Sequence, residues 1–143
     1  MKKNIAIFGA GGFGREVACL IRNRLPEWKI IGFFDDGKPK GEIVSSFGPI
    51  LGGVDDVNAW QGDLALVIAI GNPQTVRSVV RKIQNPKIYY PNIIHPSFEI
   101  VDPDTFSIGR GNIITTDCRV SCDVSIGDFN VFNSSIVIGH DAK

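Results

Sequence analysis

Residues 108–143 read IGRGNI ITTDCR VSCDVS IGDFNV FNSSIV IGHDAK, which divides without a gap into six hexapeptides. The first position of every hexapeptide is aliphatic or aromatic, and glycine follows it three times. These first positions are Ile108, Ile114, Val120, Ile126, Phe132 and Ile138. A strict period of six residues is typical of a parallel β-helix, in which three hexapeptides complete one triangular coil. We therefore predict a left-handed parallel β-helix whose interior is filled by the first position of each hexapeptide.

The last hexapeptide contains His140, one of two histidines in the chain, followed directly by Asp141. Because Ile138 points into the coil, residue 140 is expected near a corner and outside the core. Two interpretations remain: an exposed histidine without a task, or a general base beside a carboxylate that orients its ring. Cys122 and Asp123 are expected directly beneath this pair, one coil earlier.

The N-terminal part of the chain follows a strand–glycine–helix pattern. The apolar run NIAIF (4–8) predicts a buried strand, and apolar residues recur at helical spacing after GAGGFG (9–14). In this context Gly9 permits a tight turn, Gly11 lets a phosphate approach the backbone, and Gly14 lets the helix pack against the strand. The helix N-terminus would then offer free N–H groups to an anion. The alternative is that the glycines only form a tight turn.

Two further apolar runs, KIIGFF (29–34) and LALVIAI (64–70), are each followed by polar residues. Asn72 is a predicted N-cap and Pro73 a predicted first helical residue. If the strands are parallel, one crevice collects the predicted substrate-binding residues. They are Gly9, Gly11, Gly12, Gly14, Asp35, Asp36, Gly71 and Asn72. For the two aspartates, a solvated turn beside Gly37 remains an alternative.

The length of the α/β segment limits the ligand that it can hold. The parallel pattern ends near Tyr90, whereas a dinucleotide site uses two βαβαβ halves. One half holds one nucleotide, so an NAD(P)-dependent oxidoreductase is the less favoured interpretation. The predicted fold class is α/β plus β: a half-Rossmann (parallel βαβ) domain at 1–92, then the start of a left-handed β-helix at 93–143.

Composition excludes several classes of protein. The 15 basic and 15 acidic residues balance, which argues against nonspecific nucleic-acid binding. No apolar run approaches the roughly 20 residues that span a bilayer. The three cysteines, Cys19, Cys118 and Cys122, are odd in number and lack zinc-site spacing, so we expect reduced thiols in a cytoplasmic protein without a metal. Cys118 is a predicted core residue.

The whole chain resembles the sialic-acid O-acetyltransferase and bacillosamine-pathway (UDP-4-amino-sugar N-acetyltransferase) family of hexapeptide-repeat acyltransferases. The resemblance rests on GAGGFGREVA (9–18), FFDD (33–36), AIGN (69–72), NIIHPS (92–97) and FNSSIVIGHDA (132–142). It implies a homotrimer packed through the β-helices, with acetyl-CoA as co-substrate in the groove between subunits.

The resemblance also implies roles for individual residues. The N-terminal crevice would hold the uridine diphosphate of a UDP-amino sugar, with Asp35 and Asp36 on the base or ribose. His140 and Asp141 would form the catalytic pair, and the acetyl group would pass directly to the sugar amine. Sialic-acid-type O-acetylation and a noncatalytic nucleotide-sugar-binding module remain alternatives. His95, in NIIHPS, is expected to be structural.

Members of the family continue through several more coils, whereas two coils are counted here, from 108 to 143. The chain is therefore expected to be a C-terminally truncated fragment. In that form we expect nucleotide binding to survive and acetyl transfer to be weak or absent, because later coils supply much of the acetyl-CoA groove.

Overall fold

The computed structural model describes residues 2–142. Met1 and Lys143, the outer ends of the two predicted domains, lie outside the described residues. The chain divides into two compact units, Met1–Tyr90 and Pro91–Lys143. The boundary predicted from the sequence lies two residues further along. No helix within residues 2–142 is both long enough and apolar enough to cross a membrane.

The N-terminal unit is built on a six-stranded sheet with the order β3–β4–β2–β1–β5–β6. Its strands are β1 (Lys3–Phe8), β2 (Trp28–Phe34), β3 (Ile43–Val44), β4 (Gly48–Gly52), β5 (Leu64–Ile68) and β6 (Ile88–Tyr89). Its helices are α1 (Gly12–Arg24), α2 (Val54–Asn58) and α3 (Pro73–Lys82). β1 pairs in parallel with β2 and with β5, which confirms the predicted parallel arrangement. The carboxyl ends of these three strands therefore meet at one edge of the sheet.

The core of this unit is formed by the central strands together with buried residues of α1, α2 and α3. Every residue of β5 is buried, as expected for a parallel strand covered on both faces. α1 contributes Val17, Ala18 and Ile21, each at most 1% exposed. The helical spacing of these apolar residues is what packs α1 on the sheet.

Four elements of this unit were not predicted: β3, β4, β6 and α2. β4 reads GPILG, and its glycines and proline are unfavourable in strands, so the apolar signal is weak. α2 has only five residues, too few for helical periodicity to appear. β4 pairs in parallel with β2, and β3 adds an antiparallel edge strand. The sheet is therefore wider than the sequence indicated.

The C-terminal unit is a parallel β-helix, as predicted. Its strands are β7 (Ile93–Ile94), β8 (Glu99–Ile100), β9 (Phe106–Ile108), β10 (Ile113–Ile114), β11 (Arg119–Val120), β12 (Val124–Ile126), β13 (Val131–Phe132) and β14 (Val137–Ile138). They form three parallel sheets, β7–β10–β13, β8–β11–β14 and β9–β12, which are the faces of the prism. Ile114, Cys118, Val120, Val124 and Ile126 form the buried core, so the predicted inward positions and the core cysteine are confirmed.

A corner of the prism recurs every six residues, and the residue at each corner has a left-handed backbone conformation. The residues concerned are Gly111, Asp117, Asp123, Phe129, Ser135 and Asp141, with φ between 54° and 72°. Aspartate tolerates this conformation better than most residues, whereas bulky Phe129 does not favour it. The fourth position of each hexapeptide is therefore the turn residue, and Asp141 occupies one of these turns.

The β-helix begins earlier than the repeat count indicated. β7 already pairs with β10, and Ile93 is the register partner of Ile113, 20 residues later. Later pairs, such as Ile113 with Val131, are 18 residues apart. A short 3₁₀ helix, Pro103–Thr105, lies in the longer first coil. The two extra residues break the six-residue period, so the repeat count began at residue 108, although the predicted β-helix domain already began at residue 93.

One corner of the prism contains a buried ladder of asparagines. Asn112 is 0% exposed, and its side-chain nitrogen donates to Asn92 Oδ1 at 3.0 Å and to the Gly127 carbonyl at 2.8 Å. Its Oδ1 accepts from the backbone and side-chain nitrogens of Asn130, at 2.8 and 3.1 Å. The side-chain amide of Asn112 is thus hydrogen-bonded to the coils on both sides, and these bonds allow a polar residue to be buried inside the β-helix.

Candidate active site

The turn between β1 and α1 contains four glycines, and close packing requires glycine at two of them. Gly9 has φ +112°, and a Cβ there would lie 2.6 Å from the Ala69 carbonyl oxygen. A Cβ on Gly14 would overlap the Gly9 carbonyl oxygen. Because both obstacles are backbone atoms that cannot move aside, the fold itself requires glycine at these two positions.

Gly11 and Gly71 have no such explanation. A Cβ on either residue would meet no atom within 4 Å, and Gly11, the N-cap of α1, has an ordinary φ of −83°. The first turn of α1 has no side-chain cap and no acidic residue, so its first N–H groups have no side-chain acceptor. This N-terminus combines open space with donors and a positive dipole end, which suits a phosphate.

Asp35 ties the end of β2 to the glycine turn. Its Oδ2 accepts a hydrogen bond from the backbone N–H of Ala10 at 2.9 Å, and its Oδ1 accepts one from Gly37 at 2.8 Å. The side chain is half-buried. The structure therefore brings Asp35 to the glycine turn, as the crevice hypothesis requires. The carboxylate also stabilises the turn itself.

Asp36 faces a different element. Its Oδ1 accepts from the backbone N–H of Val54, the first residue of α2, at 2.9 Å. Asp56 holds the same helix end: its Oδ2 accepts from Gly53 at 3.0 Å, and this bond, helped by Lys40, lowers the pKa of the Asp56 carboxyl. Sequence reasoning missed this function of Asp36 because it missed α2.

Asn72 is the N-cap of α3, as predicted. Its Oδ1 accepts from the backbone of Gln74 at 2.8 Å and of Thr75 at 3.3 Å, and Pro73 is the first helical residue. The acceptor atom of the side chain is therefore used within the protein. Its Nδ2 is the atom that suits a ligand.

His140 and Asp141 form a contact at the surface of the β-helix. His140 Nδ1 lies 2.8 Å from Asp141 Oδ2, and the two side chains are 76% and 71% exposed. The predicted position outside the core is confirmed. The hydrogen bond with Asp141 and its charge raise the pKa of His140, and the charge of Asp123 adds to this effect. Because an ionised carboxylate only accepts, Nδ1 carries the proton and Nε2 of the neutral ring presents its lone pair.

The other histidine has a structural contact. His95 Nδ1 accepts a hydrogen bond from the backbone N–H of Ser97 at 2.9 Å, in the turn after β7. Cys19, Cys118 and Cys122 are all free thiols. Within residues 2–142, no three His, Cys, Asp or Glu side chains are grouped to hold a metal ion.

Comparisons with known proteins place this geometry in context. The family described as the PglD N-terminal domain matches residues 4–83, which is more than half of the chain. No curated protein matches the sequence. Solved structures match over nearly all of the chain.

The acetyltransferase domain of PglB from Neisseria gonorrhoeae, in complex with acetyl coenzyme A, matches with a TM-score of 0.82 and 25% identity over 99% of this chain. PerB from Caulobacter crescentus, in complex with CoA and GDP-perosamine, matches with a TM-score of 0.82 and 24% identity over 97%. WeeI from Acinetobacter baumannii matches with a TM-score of 0.73 and 25% identity over 96%.

The chain spans 66% of the PglB domain, 64% of PerB and 67% of WeeI, so it covers about two thirds of these relatives. The N-terminal match and the fold agree with the resemblance stated from the sequence. The chain belongs to the PglD N-terminal domain family.

Proposed function

We propose that this chain provides the nucleotide-sugar site and the general base of an acetyltransferase that acylates the amino group of a UDP-linked amino sugar. The observation that carries the proposal is the exposed contact between His140 and Asp141, which leaves Nε2 available. The donor is acetyl-CoA, a proposal supported by the PglB domain and PerB, whose structures contain acetyl coenzyme A and CoA.

The chemistry of amide formation fits this pair. The sugar nitrogen attacks the thioester carbonyl carbon, the C–S bond breaks, and the CoA sulfur leaves as the thiol after taking up a proton. His140 Nε2 accepts the proton that the attacking nitrogen loses. Asp141 holds the ring through Nδ1 and stabilises the imidazolium, as the carboxylate does in hydrolytic triads. No acyl-enzyme is required.

The nucleotide diphosphate is proposed to bind at the N-terminus of α1. Gly11 and Gly71 leave open space there, and the first N–H groups of the helix lack side-chain acceptors. Asp35 stands beside this turn with both oxygens already accepting one bond each, and a carboxylate has further lone pairs for a ribose hydroxyl or a base N–H. Uridine is the proposed base, on the resemblance alone; PerB was solved with a guanosine sugar.

Matched substitutions at the two histidines test the role of His140. His140→Asn is expected to lower acceptor-dependent release of CoA thiol by roughly 10²- to 10⁴-fold, the usual contribution of a general base. His95→Asn is the control, because asparagine can replace the bond that His95 Nδ1 accepts from Ser97 in its turn. Both variants should keep the affinity for the UDP-sugar, measured by calorimetry.

Equal turnover of His140→Asn and the wild-type protein would remove the assigned role. The assay belongs on the full-length protein, with UDP-4-amino sugars as acceptors and a sialic acid as the competing hydroxyl acceptor. Preference for the sialic acid would favour O-acetylation. Binding of UDP-sugar without binding of acetyl-CoA would favour the noncatalytic module.

Assembly and location are part of the same proposal. A homotrimer packed through the β-helices would cover apolar side chains that this unit exposes, such as Val101 and Val137, at 57% and 61%. A cytoplasmic protein agrees with three free thiols. Light scattering in solution gives the number of subunits, and a monomeric full-length protein would contradict the trimer.

A further inference from the structure

Asp123 occupies the same corner of the β-helix as Asp141, one coil earlier. Both residues adopt the left-handed conformation, with φ of 54° and 60°. The backbone N–H of Asp141 donates to the Cys122 carbonyl at 3.1 Å, so the two turns are directly stacked. The Asp123 N–H in turn donates to Thr105 Oγ1 at 2.8 Å, which fixes its turn on the coil below.

The charges around His140 come from two turns. Asp141 lies on its own turn, and Cys122 and Asp123 lie on the turn beneath. Among the described residues, neither aspartate is paired with a lysine or arginine, so their negative charges are not neutralised locally. The charges of both carboxylates act on His140.

We propose that Asp123 is a positioning residue for His140, a second carboxylate that stabilises the imidazolium from the coil beneath. Its consequence for acetyl transfer rests on the proposed function. The direction of its effect agrees with the geometry, since the charge of Asp123 raises the pKa of His140 after the larger contributions of Asp141. A base that accepts a proton in the transition state gains from each negative charge fixed nearby.

The stacking explains why this charge is well placed. The backbone of the Asp123 corner is held in place, because its φ is set by the turn and its N–H is bonded to the coil below. Two such corners in register therefore place two carboxylates on one edge of the prism. The adjacent edge lacks this arrangement: Ser135, not an acid, stacks above Asp117 there, and its N–H donates to the Thr116 carbonyl at 3.1 Å.

This difference between edges supplies a matched control. Asp117 has the same left-handed conformation, with φ 58°, and its N–H donates to Ser97 Oγ at 2.9 Å, just as Asp123 donates to Thr105. Asp123→Asn and Asp117→Asn each remove one charge from the same coil, and asparagine is well tolerated in this conformation. Asp123→Asn removes the charge from the edge that carries His140, whereas Asp117→Asn removes it from the adjacent edge.

The test is an NMR titration of the His140 ring. The chain has two histidines, so His95→Asn assigns the two sets of ring signals. Asp123→Asn is expected to move the His140 titration midpoint to lower pH, whereas Asp117→Asn leaves it at the wild-type position. Equal midpoints in the two variants would overturn the proposal. Asp123→Ser is the second variant, because Ser135 shows that serine fits a corner of this kind.

The titration needs no acetyl transfer, so this inference and the proposed function can fail separately. A shifted midpoint in a protein without acetyltransferase activity would support the Asp123–His140 coupling and reject the function. In an active protein, the acid limb of the kcat/KM profile should move to lower pH in Asp123→Asn, because neutral His140 is the active form. An acid limb that stays in place would overturn the positioning role.

Discussion

At the scale of single residues, some glycines and charged residues are required by the fold, whereas others have space or lone pairs left for a ligand. Gly9 and Gly14 face backbone carbonyls, so they are structural. Gly11 faces open space and Asp35 keeps unused lone pairs, so both are available to a ligand. The motif GAGGFG predicted the turn. It could not distinguish a glycine required by packing from one available to a ligand, because both are glycine in the sequence.

Gly14→Ala and Gly11→Ala test this division. Gly14→Ala should destabilise the protein strongly, by about 2 kcal/mol or more, because its Cβ meets the Gly9 carbonyl. Gly11→Ala should leave the free energy of unfolding within about 1 kcal/mol of wild type, since its φ suits alanine. Urea unfolding measures both.

Affinity for UDP supplies the second half of the comparison. If a phosphate approaches Gly11, a methyl group there should weaken UDP binding by roughly tenfold or more, although the protein remains folded. A folded Gly11→Ala protein with wild-type affinity would contradict the phosphate site at α1. Calorimetry with UDP gives the answer.

The pH dependence of stability tests the contact between His140 and Asp141. The raised pKa of folded His140 means that the contact stabilises the protein fully below the unfolded pKa, about 6.5, and that this contribution is lost as pH rises through the folded pKa. His140→Asn should therefore lower Tm at about pH 5 and have little effect at about pH 9. An equal change in Tm at both pH values would contradict the contact.

At the scale of elements, the β-helix shows what periodicity can and cannot predict. The six-residue repeat predicted the inward positions from Ile108 onward. In the first coil, which begins at Ile93, the 3₁₀ insertion breaks the repeat, so its inward positions were not predicted, although the β-helix domain was predicted from residue 93. The helix caps followed from local chemistry, as Asn72 and Pro73 show. α2 was missed because five residues are too few for helical periodicity to appear, and β4 was missed because its glycines and proline weaken the strand signal.

The asparagine ladder belongs to this scale, because it joins three coils. Asn112→Ala removes a buried amide whose partners include Asn92, the Gly127 carbonyl and Asn130, which are left unsatisfied. We expect a loss of about 2–4 kcal/mol in the free energy of unfolding. The control is exposed Asn133→Ala, expected within about 0.5 kcal/mol of wild type. Similar losses in both variants would mean that the ladder is not a structural element.

At the scale of the whole molecule, the chain joins two units of different architecture: a mostly parallel sheet with helices, and a β-helix that carries His140 on its surface. The sequence predicted both architectures, because a buried parallel strand and a hexapeptide coil each leave a periodic apolar pattern. It could not predict the hydrogen bonds of Asp36 and Asp123, which depend on elements distant in the chain.

The most direct test of the account is mass spectrometry of a UDP-4-amino sugar incubated with acetyl-CoA and the full-length protein. The account predicts that the sugar gains one acetyl group, which resists hydroxylamine as an amide does, and that His140→Asn abolishes most of this gain. A sugar recovered unchanged from the wild-type reaction, while UDP-sugar and acetyl-CoA both bind, would contradict the proposed acetyltransferase.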